Sequence, residues 1–371
     1  MRVIHLTSVH PWNDNRIFYK ECVSLAQKGF DVFLIAPATE EKEVNGVHII
    51  PLSEVRSRLL RILIQPIRLF FKGMQLEGDI YHFHDPELIP IALFLRLFRK
   101  NVIYDIHEDN ISVIHARPYI PLFIRNILVI VVRIVEWLAQ KSMHIFIAES
   151  YYKRRFNNGL LIKNYPLIHN KINLNENNNS DINTIIYTGN ITPIRGALIH
   201  SSIPAYVPGV EVHMVGKHTS ALREEMLNNT RHGRNNLLLI GTDEFVSPSI
   251  IQDYYLKHKW LAGLAIFPFS DHYKEKELTK FFEYMLNGIP IICSNFPVWN
   301  KLIEKEKCGL TVNPNDPQDI KEKIEYLLNN KDEAKLMGAR GRAAVLSKYN
   351  WESQEKRLIR FYENILIKKY D

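Results

Sequence analysis

The chain has few cysteines. Cys22, Cys293 and Cys308 are the only three in 371 residues, and they lie far apart. That spacing argues against a zinc ribbon, a Cys-x-x-Cys redox motif or a disulfide framework, and it favours buried thiols in a reducing compartment. No Gly-x-Gly-x-x-Gly follows the first strand, which argues against a dinucleotide oxidoreductase. Neither His-Glu-x-x-His nor Gly-x-Ser-x-Gly occurs, so the common zinc-protease and hydrolase signatures are missing. There is also no Asp-x-Asp to clamp a metal on a nucleoside diphosphate. Without one, a protein that handles phosphate must neutralise its charge with basic side chains and helix N-termini. Long apolar runs are absent too. The opening "MRVIHLTSVHPW" has no apolar core of signal-peptide length. The most apolar stretch, "RPYIPLFIRNILVIVVRIVEWLAQK", is broken by Arg125, Arg133 and Glu136, and its charge-free run from Asn126 to Val132 is too short to span a bilayer.

What is present describes a globular chain of two domains. Hydrophobic residues at 46% and charged residues at 23% are a soluble composition, and 371 residues exceed one ordinary core. A net charge of +7 suits nucleic acid, an anionic membrane face or a phosphorylated small molecule. Nucleic acid ranks last, because the basic residues are interspersed with acids and no recognition motif accompanies them.

The apolar runs set the order of elements. "RVIHLTS" and "DVFLIAP" read as strands around the helix "DNRIFYKECVSLAQKGF", which Asp14 or Asn15 can cap and Gly29 ends. "GDIYHFHD", "NVIYDIHED" and "HIFIAES" are further strands of a parallel sheet. Ligands sit off the carboxyl ends of such strands. This places His10, Asp14, Arg16, His84, Asp85, His107 and Glu108 at a productive edge, where loop capping and solvation are the plainer roles. From 164 to 182 the composition turns Asn-rich, as in a linker. A second series follows: "TIIYTGN", "VEVHMVG", "NLLLIG", "AGLAIFPFS", "GIPIICSN" and "CGLTVNP" are strands. "SPSIIQDYYLKHK" and "ELTKFFEYMLN" are helices, and polar, periodic helices close the chain. The expected domains are 1–168 and 183–349.

The second domain offers groups for phosphate. In "YTGNITPIRGA", Gly189 ends a strand where backbone can approach a ligand, and Arg195 follows six residues later. Lys280 stands near the start of the helix bearing Glu283. An Arg and a Lys from different loops can grip a diphosphate, helped by the positive helix end. The plainer alternative is that each is a surface charge.

Taken together, these segments resemble family 4 of the glycosyltransferases, of the bacterial surface-polysaccharide type. The resemblance spans essentially the whole chain. It rests on "HPWNDNRIFYKECVSLAQKGFDV", "YHFHDPELIP", "VIYDIHED", "YTGNITPIRGA" and above all "KFFEYMLNGIPIICSN", which closes a Glu-x7-Glu pattern. It implies the GT-B architecture, α/β with two Rossmann-like domains facing a cleft, and a C-terminal helix, 350–371, packing back on the N-terminal domain. It also implies a retaining, metal-independent transfer of a sugar from a nucleoside diphosphate sugar, UDP- or GDP-linked, with no cofactor. Glu283 would hold the ribose hydroxyls. Glu275 would face the donor sugar, with Glu277 as a rival because the usual Phe-Gly after the first glutamate is replaced here by Lys276-Glu277. Gly189, Asn190, Arg195, Gly216 and Lys280 would bind the donor. Asn190 stands where many members carry another Arg. His107 would serve the reacting centre, and His10, Asp14, Arg16, His84 and Asp85 would shape the acceptor side.

The acceptor expected is a hydroxyl of a growing, lipid-linked glycan, at the cytoplasmic face of a membrane. Two segments bear on that expectation. "VRSRLLRILIQPIRLFFKG" sets Arg56, Arg58, Arg61, Arg68 and Lys72 among Leu, Ile and Phe, a basic amphipathic pattern. The stretch 117–141 is the second. Both could touch a membrane surface, or be ordinary sheet-covering helices with their apolar faces in the core. Two other functions fit the same architecture: a sugar-nucleotide epimerase, and a non-catalytic partner subunit, which would have no need of Arg195, Lys280 and Glu283.

Overall fold

A computed structural model of the chain describes residues 1–55, 57–115, 120–168, 183–230 and 233–370. Most of the Asn-rich stretch, 169–182, thus lies outside the described residues, as do Arg56 and 116–119. The chain forms two compact units. One is Met1–Leu167 with Trp351–Asp371, and the other is Ile168–Asn350.

The first unit is built on eight strands: β1 (Arg2–Leu6), β2 (Asp31–Pro37), β3 (Lys42–Val44), β4 (Val47–Leu52), β5 (Ile80–Phe83), β6 (Asn101–Ile106), β7 (His144–Ile147) and β8 (Leu160–Leu161). Their order is β3-β4-β2-β1-β5-β6-β7-β8. All neighbours run parallel except β3 and β4. These two form a hairpin that the apolar runs alone do not reveal. Its turn is Asn45-Gly46, with φ of 54° and 76°. Positive φ at both central residues suits a turn whose twist matches the strands, and Asn-Gly is the sequence signal for it. Successive strand residues point to opposite faces. Ile4, Leu6, Tyr81 and Phe83 join one buried cluster; Val3, Val32, Ile80 and Ile103 join another.

The helix Trp351–Tyr370 belongs to this unit and covers the second of these faces. Trp351 is buried, donates from Nε1 to Ser24 Oγ at 2.9 Å, and its backbone N–H reaches the carbonyl of Pro166 at 2.8 Å. Near the start of the chain, Asp14 Oδ1 accepts from the N–H groups of Arg16 and Ile17, so Asp14 caps the following turns. Those turns are a wide π-helical segment, Ile17–Cys22, and they bury Lys20 and Glu21 as well as Ile17 and Phe18.

The basic amphipathic segment is the helix Arg58–Gln75, and the 117–141 stretch contains the helix Leu122–Ser142. The account in which their apolar faces are spent on the core does not hold for most of their side chains. Leu59, Leu63 and Phe71 of the first helix are 61–76% exposed, as are Leu122 and Phe123 of the second at 68% and 75%. Leu97 and Phe98, which end the intervening helix region, are exposed as well. Among the described residues, no helix is long and apolar enough to cross a membrane.

The second unit carries six parallel strands: β9 (Thr184–Thr188), β10 (Glu211–Val215), β11 (Leu237–Ile240), β12 (Ala262–Ala265), β13 (Ile291–Ser294) and β14 (Gly309–Val312), in the order β11-β10-β9-β12-β13-β14. All six were expected from the apolar runs. The order turns back at β9 and β12, the switch point where open α/β sheets receive ligands.

Trp351→Ala should lower the stability of the first unit by about 3–5 kcal/mol, the usual cost of truncating a buried Trp. The check is a fall in the urea midpoint of that unit's transition; an unchanged midpoint would mean that the C-terminal helix contributes nothing to the fold.

Candidate active site

In the second unit, three neighbouring strands end in glycines that approach one another through bare backbone. Gly189 follows β9 with φ +96°, Gly216 follows β10, and Gly241 follows β11 with φ +109°. A Cβ on Gly216 would lie 1.8 Å from the carbonyl oxygen of Gly189, and one on Gly241 would lie 2.4 Å from that of Gly216. No side chain fits at Gly216 or Gly241, so these strand ends are close-packed through backbone alone.

Two cations converge on this edge. The helix Thr279–Leu286 carries Lys280 in its first turn. The Lys280 ammonium lies 3.6 Å from the centroid of the Tyr187 ring, and it would stand 3.5 Å from a Cβ on Gly189. Arg195 ends the short turn Pro193–Arg195, and its Nε donates to the Tyr273 hydroxyl at 2.9 Å. The turn is closed by Gly196, whose φ of +78° and contact with the carbonyl of Ile266 leave no room for a side chain. Neither cation forms an ion pair with a carboxylate among the described residues. Burial pushes Lys280 down to about 7; Glu283 opposes that shift and Arg195 adds to it. The site thus holds positive charge in reserve, next to backbone that can be approached.

Glu283 lies one turn after Lys280 and is partly exposed. The Tyr255 hydroxyl is 3.5 Å from Glu283 Oε2 and 2.6 Å from Thr188 Oγ1, linking the glutamate to the end of β9. Asn190 is partly exposed, and its carbonyl oxygen accepts from the Tyr187 hydroxyl at 2.7 Å. Glu275 and Glu277 stand in the turn before the helix, both partly exposed. The tyrosines Tyr187, Tyr255 and Tyr273 were not picked out from the sequence. Nothing in their spacing marks them; only the fold brings them against Lys280, Glu283 and Arg195.

The first unit has a polar cluster at the carboxyl ends of β1, β5 and β6. His107 Nε2 is hydrogen-bonded to Asp105 Oδ2. Arg16 holds the same carboxylate with two bonds, Nε to Oδ2 at 3.0 Å and Nη2 to Oδ1 at 2.9 Å. His84 Nδ1 is 3.3 Å from His107 Nε2, and its Nε2 is 3.0 Å from His5 Nδ1. Asp85 accepts from the Thr7 hydroxyl and the Ser8 N–H, each at 2.7 Å. His10 is the more open member, 3.6 Å from Asp14 and 3.5 Å from Asp85. The structure therefore brings His10, Asp14, Arg16, His84, Asp85 and His107 together. It does not turn all of them outward. Arg16, His84 and Asp85 are buried, so Arg16 meets Asp105 where a loop residue facing ligand was expected.

Burial governs the charges here. It would raise Asp105, but the Arg16 guanidinium and His107 hold that carboxyl well below the usual range. Burial, with the charge of Asp105, pushes Glu21 well up, against the pull of the Arg16 guanidinium. Burial drives His84 down to about 4. For His10, burial is outweighed by its bond to Asp14 and the charges of Asp85 and Asp14, which raise it. His5, Glu21, His82 and His84 each present one ligating atom within 4.8 Å of the others. The Arg16 Nε lies 3.0 Å from Glu21, so a guanidinium already supplies the positive charge in this seam.

These features have parallels among known proteins. Residues 171–344 match the family described as glycosyl transferases group 1. The sucrose-phosphate synthase of Thermosynechococcus elongatus superposes with a TM-score of 0.73 at 16% identity, over 99% of each chain. The Anabaena protein HepE, solved in complex with UDP-glucose, gives 0.70 at 13% identity, over 98% of this chain and 100% of that one. WaaG, a glycosyltransferase involved in lipopolysaccharide biosynthesis, gives 0.70 at 12% identity, over 96% of this chain and 98% of that one. No curated protein matches by sequence. The family match covers less than half of the chain, and the fold is that of the GT-B glycosyltransferases.

The Lys280 environment has a pH signature. Its pKa falls from 10.5 to about 7 on folding, so the unfolded chain binds more protons between those values. The second unit should therefore gain stability as pH rises from about 7 towards 10, and lose it on the way back. Lys280→Met should flatten that slope relative to the parent, as read from urea midpoints between pH 7 and 9.5. Parallel slopes would place Lys280 in a solvated environment.

Proposed function

We propose that the protein is a family 4 glycosyltransferase that acts with retention and without a metal. It moves a sugar from a nucleoside diphosphate sugar to a hydroxyl of a growing, lipid-linked glycan in bacterial polysaccharide biosynthesis. One observation carries the reading: Lys280 stands beside the backbone of Gly189 at the switch point of the second sheet, with Arg195 near enough to repel its charge, and neither cation forms an ion pair with a carboxylate among the described residues. A diphosphate is the ligand that such an edge suits. Its charge would be met by Lys280, Arg195 and backbone N–H groups, and the charge developing on the leaving group is what a transferase must stabilise. Glu283, on a rigid helix and linked to Tyr255, suits the paired hydroxyls of a ribose. Glu275, with Glu277 as its rival, faces the donor sugar in this reading, and His107 serves the reacting centre. The HepE complex favours a UDP-linked donor.

The exposed apolar side chains of the helices Arg58–Gln75 and Leu122–Ser142 support a peripheral membrane contact of the first unit. Leu63, Phe71 and Phe123 would enter the interface while neighbouring Arg and Lys meet anionic headgroups, each such charge contributing about 1 kcal/mol.

Glu283→Ala should weaken binding of UDP and UDP-sugars in titration calorimetry while the fold stays intact; unchanged affinity would remove Glu283 from the ribose. Arg195→Ala should lower turnover on the order of 100- to 1,000-fold, the usual effect of removing one charge-stabilising donor. Activity of the parent should survive a strong chelator. Loss on chelation, restored by a divalent ion, would refute the metal-free step. Nucleotide release that depends on an acceptor separates transfer from epimerisation.

Binding to vesicles with anionic lipid should exceed binding to neutral vesicles and weaken with salt. It should fall in the Leu63→Asp, Phe123→Asp variant. Equal, negligible binding to both vesicle types would sink the membrane contact and leave the transferase reading untouched.

A further inference from the structure

We propose that Asp105 is a positioning residue for sugar transfer: it takes the Nε2–H of His107 and so makes Nδ1, with its lone pair, the atom that His107 offers to a substrate hydroxyl. The inference rests on the reading of His107 at the reacting centre.

The geometry comes from the strand. Asp105 lies near the end of β6 and His107 just past it, two residues on, where the His107 Nε2 meets Asp105 Oδ2. Asp105 is fully buried, whereas the His107 side chain keeps 14% of its surface open. Both Asp105 oxygens are gripped by Arg16, whose Nη1 also donates to the carbonyl of Ile162 at 2.8 Å just past β8. The carboxylate therefore cannot rotate away from the imidazole. An ionised carboxylate only accepts, so the nitrogen facing it must carry the proton. His84 Nδ1, 3.6 Å from the same Oδ2, closes the remaining side. A carboxylate that fixes the tautomer and orientation of a working imidazole is a recurring arrangement. An ion pair serving stability alone would need only Arg16 and Asp105, and it would leave the imidazole free to turn.

A double-mutant cycle separates the two roles, because groups that act as a unit are not additive. Asp105→Asn should lower kcat by about 10- to 100-fold, the range for loss of a partner that orients a working ligand. In a His107→Ala background the same change should cost less than about twofold. Equal losses in both backgrounds would overturn the proposal and leave Asp105 a core ion-pair residue. If Asp105→Asn does not fold, nitrogen NMR of the parent decides: His107 should show Nε2 protonated and Nδ1 bare, and a proton on Nδ1 would overturn it. Normal turnover in His107→Ala alone would instead remove the reading of His107 on which the proposal stands.

Discussion

The Arg16–Asp105 ion pair is the interaction on which the first unit's polar end depends. A buried carboxylate is tolerable only when its charge is met and its lone pairs are used. Arg16 meets that demand with a fork of two bonds, and in doing so it ties the π-helical segment to β6 and to the backbone beyond β8. Its second contact, with Glu21, sets the next layer. Glu21, pushed well up by burial, lies 3.9 Å from His82, whose other ring nitrogen bonds Tyr362 of the C-terminal helix at 2.6 Å. One guanidinium thus organises a seam from the sheet edge to the helix that covers its face. Removing either partner would leave an uncompensated buried charge, commonly a loss of about 3–5 kcal/mol.

The second unit solves the opposite problem. There the cations form no ion pair among the described residues, and only the nearby charge of Glu283 works against the loss of charge on Lys280. Lys280 sits over an aromatic ring and beside bare glycine backbone, and Arg195 leans on a hydroxyl. Both arrangements hold a cation in place without neutralising it. Holding a partly desolvated ammonium costs stability, which is why its pKa falls. An anion bound there would offset that cost, as the proposed function requires.

The resemblance of fold and the difference in sequence are compatible on these terms. Identities of 12–16% accompany TM-scores of 0.70–0.73. Parallel strands covered on both faces need only apolar runs of the right length, which many sequences supply. Gly216 and Gly241 at the strand ends are less replaceable, since steric contact with neighbouring carbonyls excludes every other residue.

Several features of the protein were legible from its sequence for a local reason. The strands of the second unit are short apolar runs bounded by turn residues, and their period needs no partner to be read. The placement of Gly189 after a strand and of Lys280 and Glu283 on one helix was legible because strand ends and helix starts are local features. The Asn45-Gly46 hairpin was equally local and was passed over. Tertiary structure decided the rest. The inward turn of Arg16 depends on Asp105, 89 positions away, and no periodicity encodes that distance. Asp105 itself lies two residues from His107, but its role follows only when Arg16 is seen to hold it. The tyrosines around Lys280, Glu283 and Arg195 come from separate elements. Finally, a run of Leu, Ile and Phe reads the same whether it covers a sheet or faces outward. Packing alone assigned the apolar faces of the helices Arg58–Gln75 and Leu122–Ser142, because burial is a property of neighbours and not of a segment.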